Sequence, residues 1–184
     1  MKLAAALTIA FVLSLTTTSR GVNQHTVQAA LRATAERQPA PSFQLRDGSG
    51  KAVGLSDFHG KLVVLNLWAT ECGGCKAELP TFVELHRTYV SQGLAVVGIS
   101  MDVMYENLKN TDEAWARVRP FAAAHGLGYA ILIDDGSVEK AYNVTAMPAT
   151  YLIDKRGRIA AKYIGVVDSS DLKANVRTLL AEPQ

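Results

Sequence analysis

Two stretches of the chain are apolar without alternation, Leu62–Trp68 (LVVLNLW) and Leu94–Ser100 (LAVVGIS). Unbroken β-branched and aliphatic runs of this length predict strands buried on both faces of a sheet. Between them Leu79, Phe82, Val83, Leu85 and Val90 recur at roughly helical spacing among Lys76, Glu78, Glu84 and Arg87, which predicts an amphipathic helix. Strand, helix, strand implies a parallel, right-handed crossover. Glu113–His125 predicts a second helix with Trp115, Val118, Phe121 and Ala122 on one face and Pro120 as a bend. Met101–Thr111 lacks a clean period and reads as a loop or irregular helix. Tyr129–Ile133 reads as a short strand and Ser137–Tyr142 as a helical turn. Ala149–Ile153 and Arg158–Ile164, joined by Asp154-Lys155-Arg156-Gly157, predict a hairpin, and Asp168–Ala181 a closing helix. Upstream, Phe43–Leu45 and Ala52–Leu55 flank the turn-rich Asp47-Gly48-Ser49-Gly50 and predict another hairpin.

The first 40 residues follow a different pattern. Met1-Lys2 precedes an apolar stretch from Leu3 to Leu15 and then small residues, Thr16 to Ser19. Residues 1–20 therefore read as a secretory signal peptide or an N-terminal anchor. The stretch is short against the roughly 20 residues that span a bilayer, and no cysteine follows it for lipid attachment. Residues 21–40 read as a linker, in part helical over Val22–Arg37, broken by Gln38-Pro39-Ala40-Pro41. Residues 41–184 form one predicted domain. A length of 184 residues, 48% of them hydrophobic, supports one well-cored domain and an appendage. Net charge is +2 with both signs interspersed, which gives no electrostatic footprint for nucleic acid.

Cys72 and Cys75, the only cysteines, fall where the first buried strand gives way to its helix. Cysteines three apart close a loop too small to stabilise much by chain entropy, so redox work is the better use of the pair. A helix N-terminus presents unpaired amides and roughly half a positive charge, which favours thiolate over thiol. A cysteine there can fall from about 8.5 to roughly 7 or lower. Cys72, nearest the loop, is the expected nucleophile, and Cys75, one turn further in, the resolving thiol. Lys76 follows Cys75 where c-type haem attachment needs His, and two cysteines cannot complete a structural zinc site. His25, His59, His86 and His125 are scattered, and Gly60-Lys61-Leu62 lacks the Ser or Thr of a phosphate loop.

Several further words of the sequence, in order, carry a resemblance: Pro41-Ser42-Phe43, Leu55-Ser56-Asp57-Phe58-His59-Gly60-Lys61, Asn66-Leu67-Trp68-Ala69-Thr70 before the cysteines, Ala77-Glu78-Leu79-Pro80, and Met147-Pro148-Ala149-Thr150-Tyr151-Leu152-Ile153-Asp154. Over about residues 41–181 the chain resembles the TlpA/ResA type of extracytoplasmic thioredoxin-like thiol-disulfide oxidoreductases, within the redoxin/AhpC-TSA superfamily. The resemblance implies an α/β thioredoxin-like fold, a central mixed sheet flanked by helices with an extra N-terminal β-hairpin. It implies attack by Cys72, resolution by Cys75, and a cis bond at Met147-Pro148 that offers backbone groups to an extended substrate. It places Trp68, Met147 and Pro148 on the substrate side, although Trp68 and Trp115 by themselves read as core or rim aromatics. Glu78 matches an acidic position that assists proton transfer or tunes the thiols; the competing reading is a solvated first-turn glutamate.

The chain departs from the family pattern at Glu71, where Trp is common, and at Gly74, where Pro is frequent. A carboxylate at Glu71 is expected to raise the Cys72 pKa against the helix field. What the resemblance implies is a periplasmic or membrane-facing reductase with no bound cofactor beyond its Cys72–Cys75 disulfide. Its implied partners are oxidised exported proteins, such as cytochrome c or copper-site precursors, and a membrane electron donor of the thiol-disulfide relay type. Two alternatives stay open at this point. One is a thiol peroxidase, although Ala69 stands where that chemistry uses threonine. The other is a copper-binding chaperone using Cys72 and Cys75 with Met147 as a third soft ligand.

Overall fold

The computed structural model describes residues 25–183. In chain order it contains β1 (Gln44–Arg46), β2 (Ala52–Gly54), β3 (Leu62–Trp68), α1 (Gly73–Tyr89), β4 (Leu94–Ser100), α2 (Asp102–Tyr105), α3 (Thr111–Ala124), β5 (Ala130–Ile133), α4 (Ser137–Tyr142), β6 (Ala149–Ile153), β7 (Ile159–Ile164) and α5 (Ser169–Ala181). The signal or anchor expected over residues 1–20 lies outside the described residues. No helix among those described is long and apolar enough to cross a membrane.

Five strands form one mixed sheet in the order β5-β4-β3-β6-β7, with β3, β4 and β5 parallel and β6 and β7 antiparallel to their neighbours. The short β1–β2 hairpin is antiparallel and separate. This is the architecture that the sequence resemblance implies. Both faces of β3 are covered, one by α1, α3 and α5 and the other by the β1–β2 hairpin and α4, and that is why its sequence shows no alternation. Leu62, Val64 and Trp68 point into a core closed by Leu79, Phe82 and Leu85 of α1, Val118 of α3 and Leu172, Val176 and Leu179 of α5. Val63, Leu65 and Leu67 point the other way, into a core with Phe43, Leu45, Val138, Tyr142 and Tyr151.

Both sheet edges are covered. Asp47 of the hairpin loop bridges Leu132 on β5. On the far side, residues 25–40 run along β7: the Arg32 amide donates to the Ala160 carbonyl (2.8 Å), the Ile159 amide to Gln38 (2.8 Å) and the Ala40 amide to Gly157 (2.9 Å). The helix expected across this segment is reduced to one 3-10 turn, Thr34–Glu36, because its backbone groups are taken by the edge strand. Arg37, buried, fastens the segment by ion pairs to Asp154 (3.2 Å) and Glu182 (2.6 Å). The stretch expected to be loop or irregular helix contains the single turn α2, and Asn110 then caps α3 by accepting from the Glu113 amide (3.0 Å).

Candidate active site

At the carboxyl end of β3 the chain turns through Ala69–Glu71 and enters α1 with Cys72 as its N-cap. The turn is held by the neighbouring strand. The Met101 amide donates to the Trp68 carbonyl (2.8 Å), and Asp102, fully buried, accepts from the Thr70 amide (3.1 and 3.2 Å) and from the Thr70 and Ser100 hydroxyls. Cys72 is joined to Cys75 in a disulfide, and its Sγ accepts from the Cys75 amide (3.2 Å). Cys72 is 6% exposed and Cys75 not at all. Cys72 is thus the more accessible of the two residues.

The spacer glycines differ. Gly73 faces open space, whereas a Cβ on Gly74 would stand 3.0 Å from Val166 Cγ2 and 3.4 Å from Pro148 Cδ. A bare Cα at position 74 lets the cysteine loop close on the Met147–Pro148 loop. The Met147–Pro148 bond is cis, Pro148 is buried and Met147 half-buried, and the Gly165 amide donates to the Pro148 carbonyl (2.9 Å). Pro148 thus lies against the cysteine loop at Gly74, and Met147 packs on the buried cluster that includes both cysteines.

Glu78 lies beneath them, three residues after Cys75 and 2% exposed. Its Oε1 accepts from Asn66 Nδ2 (2.8 Å), which also donates to Thr150 Oγ1 (3.1 Å), and its Oε2 accepts from the Val167 amide (3.1 Å). Burial pushes the carboxyl from its ordinary value up to about 7, while the bonds from Val167 and Asn66 pull it down. A group titrating near neutrality and buried one helical turn past Cys75 is placed to exchange a proton during thiol chemistry. The solvated-glutamate alternative does not survive that burial.

Two expectations change. Trp68, placed from the sequence on the substrate side, is fully buried and stacked on Phe121 at 5.2 Å between ring centroids. Its position on β3 turns it toward α1 and α3, so the ring belongs to the core. Glu71 is exposed, and its carboxylate pairs with Lys76 Nζ at 3.4 Å, so the charge expected to act on Cys72 has a counter-ion of its own. Asn66 and Thr70 were part of the motif that carries the resemblance but were given no site role from the sequence, and Asp102 and Val167 were not named. Asn66 alone left a signal, a lone amide within an apolar strand. Among the described residues no group of three or more His, Cys, Asp or Glu side chains is arranged to hold a metal ion.

A Cys-Gly-Gly-Cys disulfide at a helix N-terminus, a cis-proline loop against it and a buried carboxyl below define a thiol-disulfide oxidoreductase of thioredoxin-like fold. Comparison with known proteins agrees. Residues 37–162 match the AhpC/TSA family. The chain is 35% identical to the thioredoxin-like protein YneN of Bacillus subtilis over 138 residues, 75% of this chain and 76% of the relative. It is 34% identical to the thiol-disulfide oxidoreductase ResA of Geobacillus thermodenitrificans over 148 residues, 80% of this chain and 79% of the relative. A secreted thiol-disulfide isomerase of Corynebacterium glutamicum superposes with a TM-score of 0.72 at 24% identity, covering 85% of this chain and 93% of that structure. A thioredoxin-family thiol:disulfide interchange protein of Chlorobium tepidum superposes at 0.68 with 25% identity, covering 81% and 100%. The chain belongs to the AhpC/TSA family, on its ResA-like thiol-disulfide oxidoreductase branch.

Proposed function

We propose that this oxidoreductase works on the extracytoplasmic side of a membrane, delivered there by its N-terminal segment, as a reductant of disulfides in exported proteins. The observation that carries the direction is the charge around the dithiol. Glu71 adjoins Cys72, Glu78 lies below Cys75, and Asp102 holds Thr70, two residues before Cys72. Lys76, the cation of the cysteine loop, is engaged with Glu71. Lys76 and Glu71 offset one another, so the buried Glu78 carboxyl, as it ionises, is the charge that opposes the Cys72 thiolate favoured by the helix N-terminus, and a less stabilised thiolate gives a more reducing pair.

The Cys72 thiolate attacks one sulfur of the substrate disulfide, forming a mixed disulfide and releasing the other substrate sulfur as a thiolate that takes up a proton. Cys75 loses its proton toward Glu78 and attacks Cys72 Sγ. The Cys72–Cys75 bond forms, the second substrate thiol leaves, and two electrons have passed to the substrate. A membrane thiol-disulfide relay returns two electrons to the protein, which needs no further cofactor. Oxidised cysteine pairs of cytochrome c or copper-site precursors are the substrates that suit this chemistry.

Equilibration in glutathione and dithiothreitol buffers, with alkylation trapping and mass readout, tests the direction. A single two-electron transition at or below about −250 mV is expected, and one near about −120 mV would mark an oxidant and refute the proposal.

A further inference from the structure

Three parts of the site converge on the short segment that follows β7. The Gly165 amide holds the Pro148 carbonyl, the Val166 side chain abuts Gly74, and the Val167 amide holds Glu78. That segment is gripped from outside. The Val27 amide donates to the Val166 carbonyl (2.7 Å), and the Asp168 amide donates to the Val27 carbonyl (2.8 Å), a parallel bridge centred on Val167. Val27 Cγ1 also stands 3.3 Å from where a Cβ on Gly165 would be. The strap around Val27 is fixed further to α5: the Ala29 amide donates to Asp171 (3.2 Å), and Asn175 donates to the Ala29 carbonyl (2.8 Å).

We propose that Val27 is a positioning residue of the dithiol site: paired on both sides of Val167, it holds the 165–168 segment through which Pro148, Gly74 and Glu78 take their places. The proposal rests on the exchange chemistry of the family and not on the direction of net electron flow. It makes the N-terminal strap part of the active site's support, whereas Arg32, further along the same strap, pairs with Ala160 near the start of β7, at the end of the strand away from these groups.

The groups that face Glu78 are limited. Asn66 reaches it from β3, Tyr129 from the approach to β5, and Cys75 stands on its own helix. Lys76 is turned to Glu71. On the clamped segment Asp168 is occupied by the Ser170 and Asp171 amides (2.9 and 3.1 Å), and Asp171 accepts from Tyr163 (2.8 Å). Among the described residues no cation bonds to Glu78, so the Val167 amide and the Asn66 amide set its ionised form. A loosened Val167 therefore moves the titration of Glu78 upward.

The test compares Val27→Pro, which removes the amide that bonds Val166, with Arg32→Pro, which removes an equivalent strap bond away from the site. In the reduced full chain the pH midpoint of the Glu78 carboxyl, followed by NMR of its side-chain carboxyl carbon, is expected to rise by about half to one unit in Val27→Pro. The equilibrium constant against glutathione is expected to change by at least about threefold. Arg32→Pro is expected to lower the melting temperature and leave both quantities unchanged. If Val27→Pro fails to melt cooperatively, Val27→Gly, which keeps the amide and loosens the strap, replaces it with the same readouts and a smaller expected shift. Variants at position 27 that match wild type in both quantities, or an equal shift from Arg32→Pro, would overturn the proposal. A wild-type chain whose cysteines do not titrate as a pair would instead overturn the exchange chemistry beneath it.

Discussion

Replacement of Glu78 by glutamine gives the most direct measure of what its burial does. The carboxyl rises from an ordinary 4.5 to about 7 in the folded chain. Between those values the folded state keeps a proton that the unfolded chain has already released. The folded state then binds more protons, so stability falls as pH rises through that window. Two and a half units at about 1.4 kcal/mol each give a loss of about 3 kcal/mol, complete by about pH 8 and absent below about pH 4.5. Glutamine does not titrate, so its curve lacks this slope.

The glutamine also fits the site. Its oxygen can keep one donor, and its amide nitrogen needs an acceptor, which Asn66 supplies by turning over, because Asn66 Oδ1 has no hydrogen-bond partner in the native arrangement. Any cost of that rearrangement is independent of pH and cancels from the slope. Urea unfolding of the oxidised protein at pH 4.5, 6, 7 and 8, followed by tryptophan fluorescence, is the assay. Stability of Glu78→Gln relative to wild type is expected to increase by about 3 kcal/mol from the lowest pH to the highest. A difference that stays constant across this range would mean that the carboxyl titrates as in water, and would refute the assignment of Glu78 as the neutral-range proton carrier.

Cys75→Ser is expected to trap a mixed disulfide between Cys72 and a disulfide-bonded test peptide, visible by mass, whereas Cys72→Ser forms none, since Cys75 is wholly buried; equal trapping would refute the division of roles. Arg37→Met removes the buried guanidinium from Asp154 and Glu182 and is expected to cost about 2–3 kcal/mol in urea unfolding, toward the low end for a buried pair because Arg158 still binds Asp154. A loss under about 0.5 kcal/mol would show that the clasp is not a stabilising element. Gly98→Ala would set a Cβ 2.8 Å from Trp68 Nε1 and 3.2 Å from Ile131 and Tyr129, and is expected to cost about 2 kcal/mol by overpacking in the same assay. An unchanged midpoint would mean that the Trp68 and Tyr129 rings can shift, contrary to their close packing.

What could be read from the sequence was local. The Leu62–Trp68 run, the spacing of the cysteines and the helix that begins between them are each encoded within about a dozen consecutive residues, and all stand in the structure. The resemblance put Trp68 on the substrate side, whereas strand alternation sends its ring into the core with Val64, as its residue type by itself suggested. The strap at residues 25–40 reads as partly helical from its sequence, but it pairs with β7 through main-chain groups, which no residue type announces. The bond from Val167 to Glu78 spans 89 residues and comes from a main-chain amide, which no residue type announces.

The same long-range assembly explains how a carboxyl that weakens the fold at neutral pH can be kept. Glu78 is held from β3 by Asn66, which is itself tied to Thr150 on β6, and from the end of β7 by the Val167 amide. Those elements are already fixed by two hydrophobic cores and by the strap, so its donors are in place before the carboxyl ionises. Stability and exchange are thus set against each other at one residue. Glu78→Gln should make the protein sturdier at pH 8 and, lacking a group that can take the Cys75 proton, slower at resolving the mixed disulfide at that pH. A variant that gained the stability and kept the wild-type resolution rate would show that another base serves Cys75, and that the burial of Glu78 has some other use.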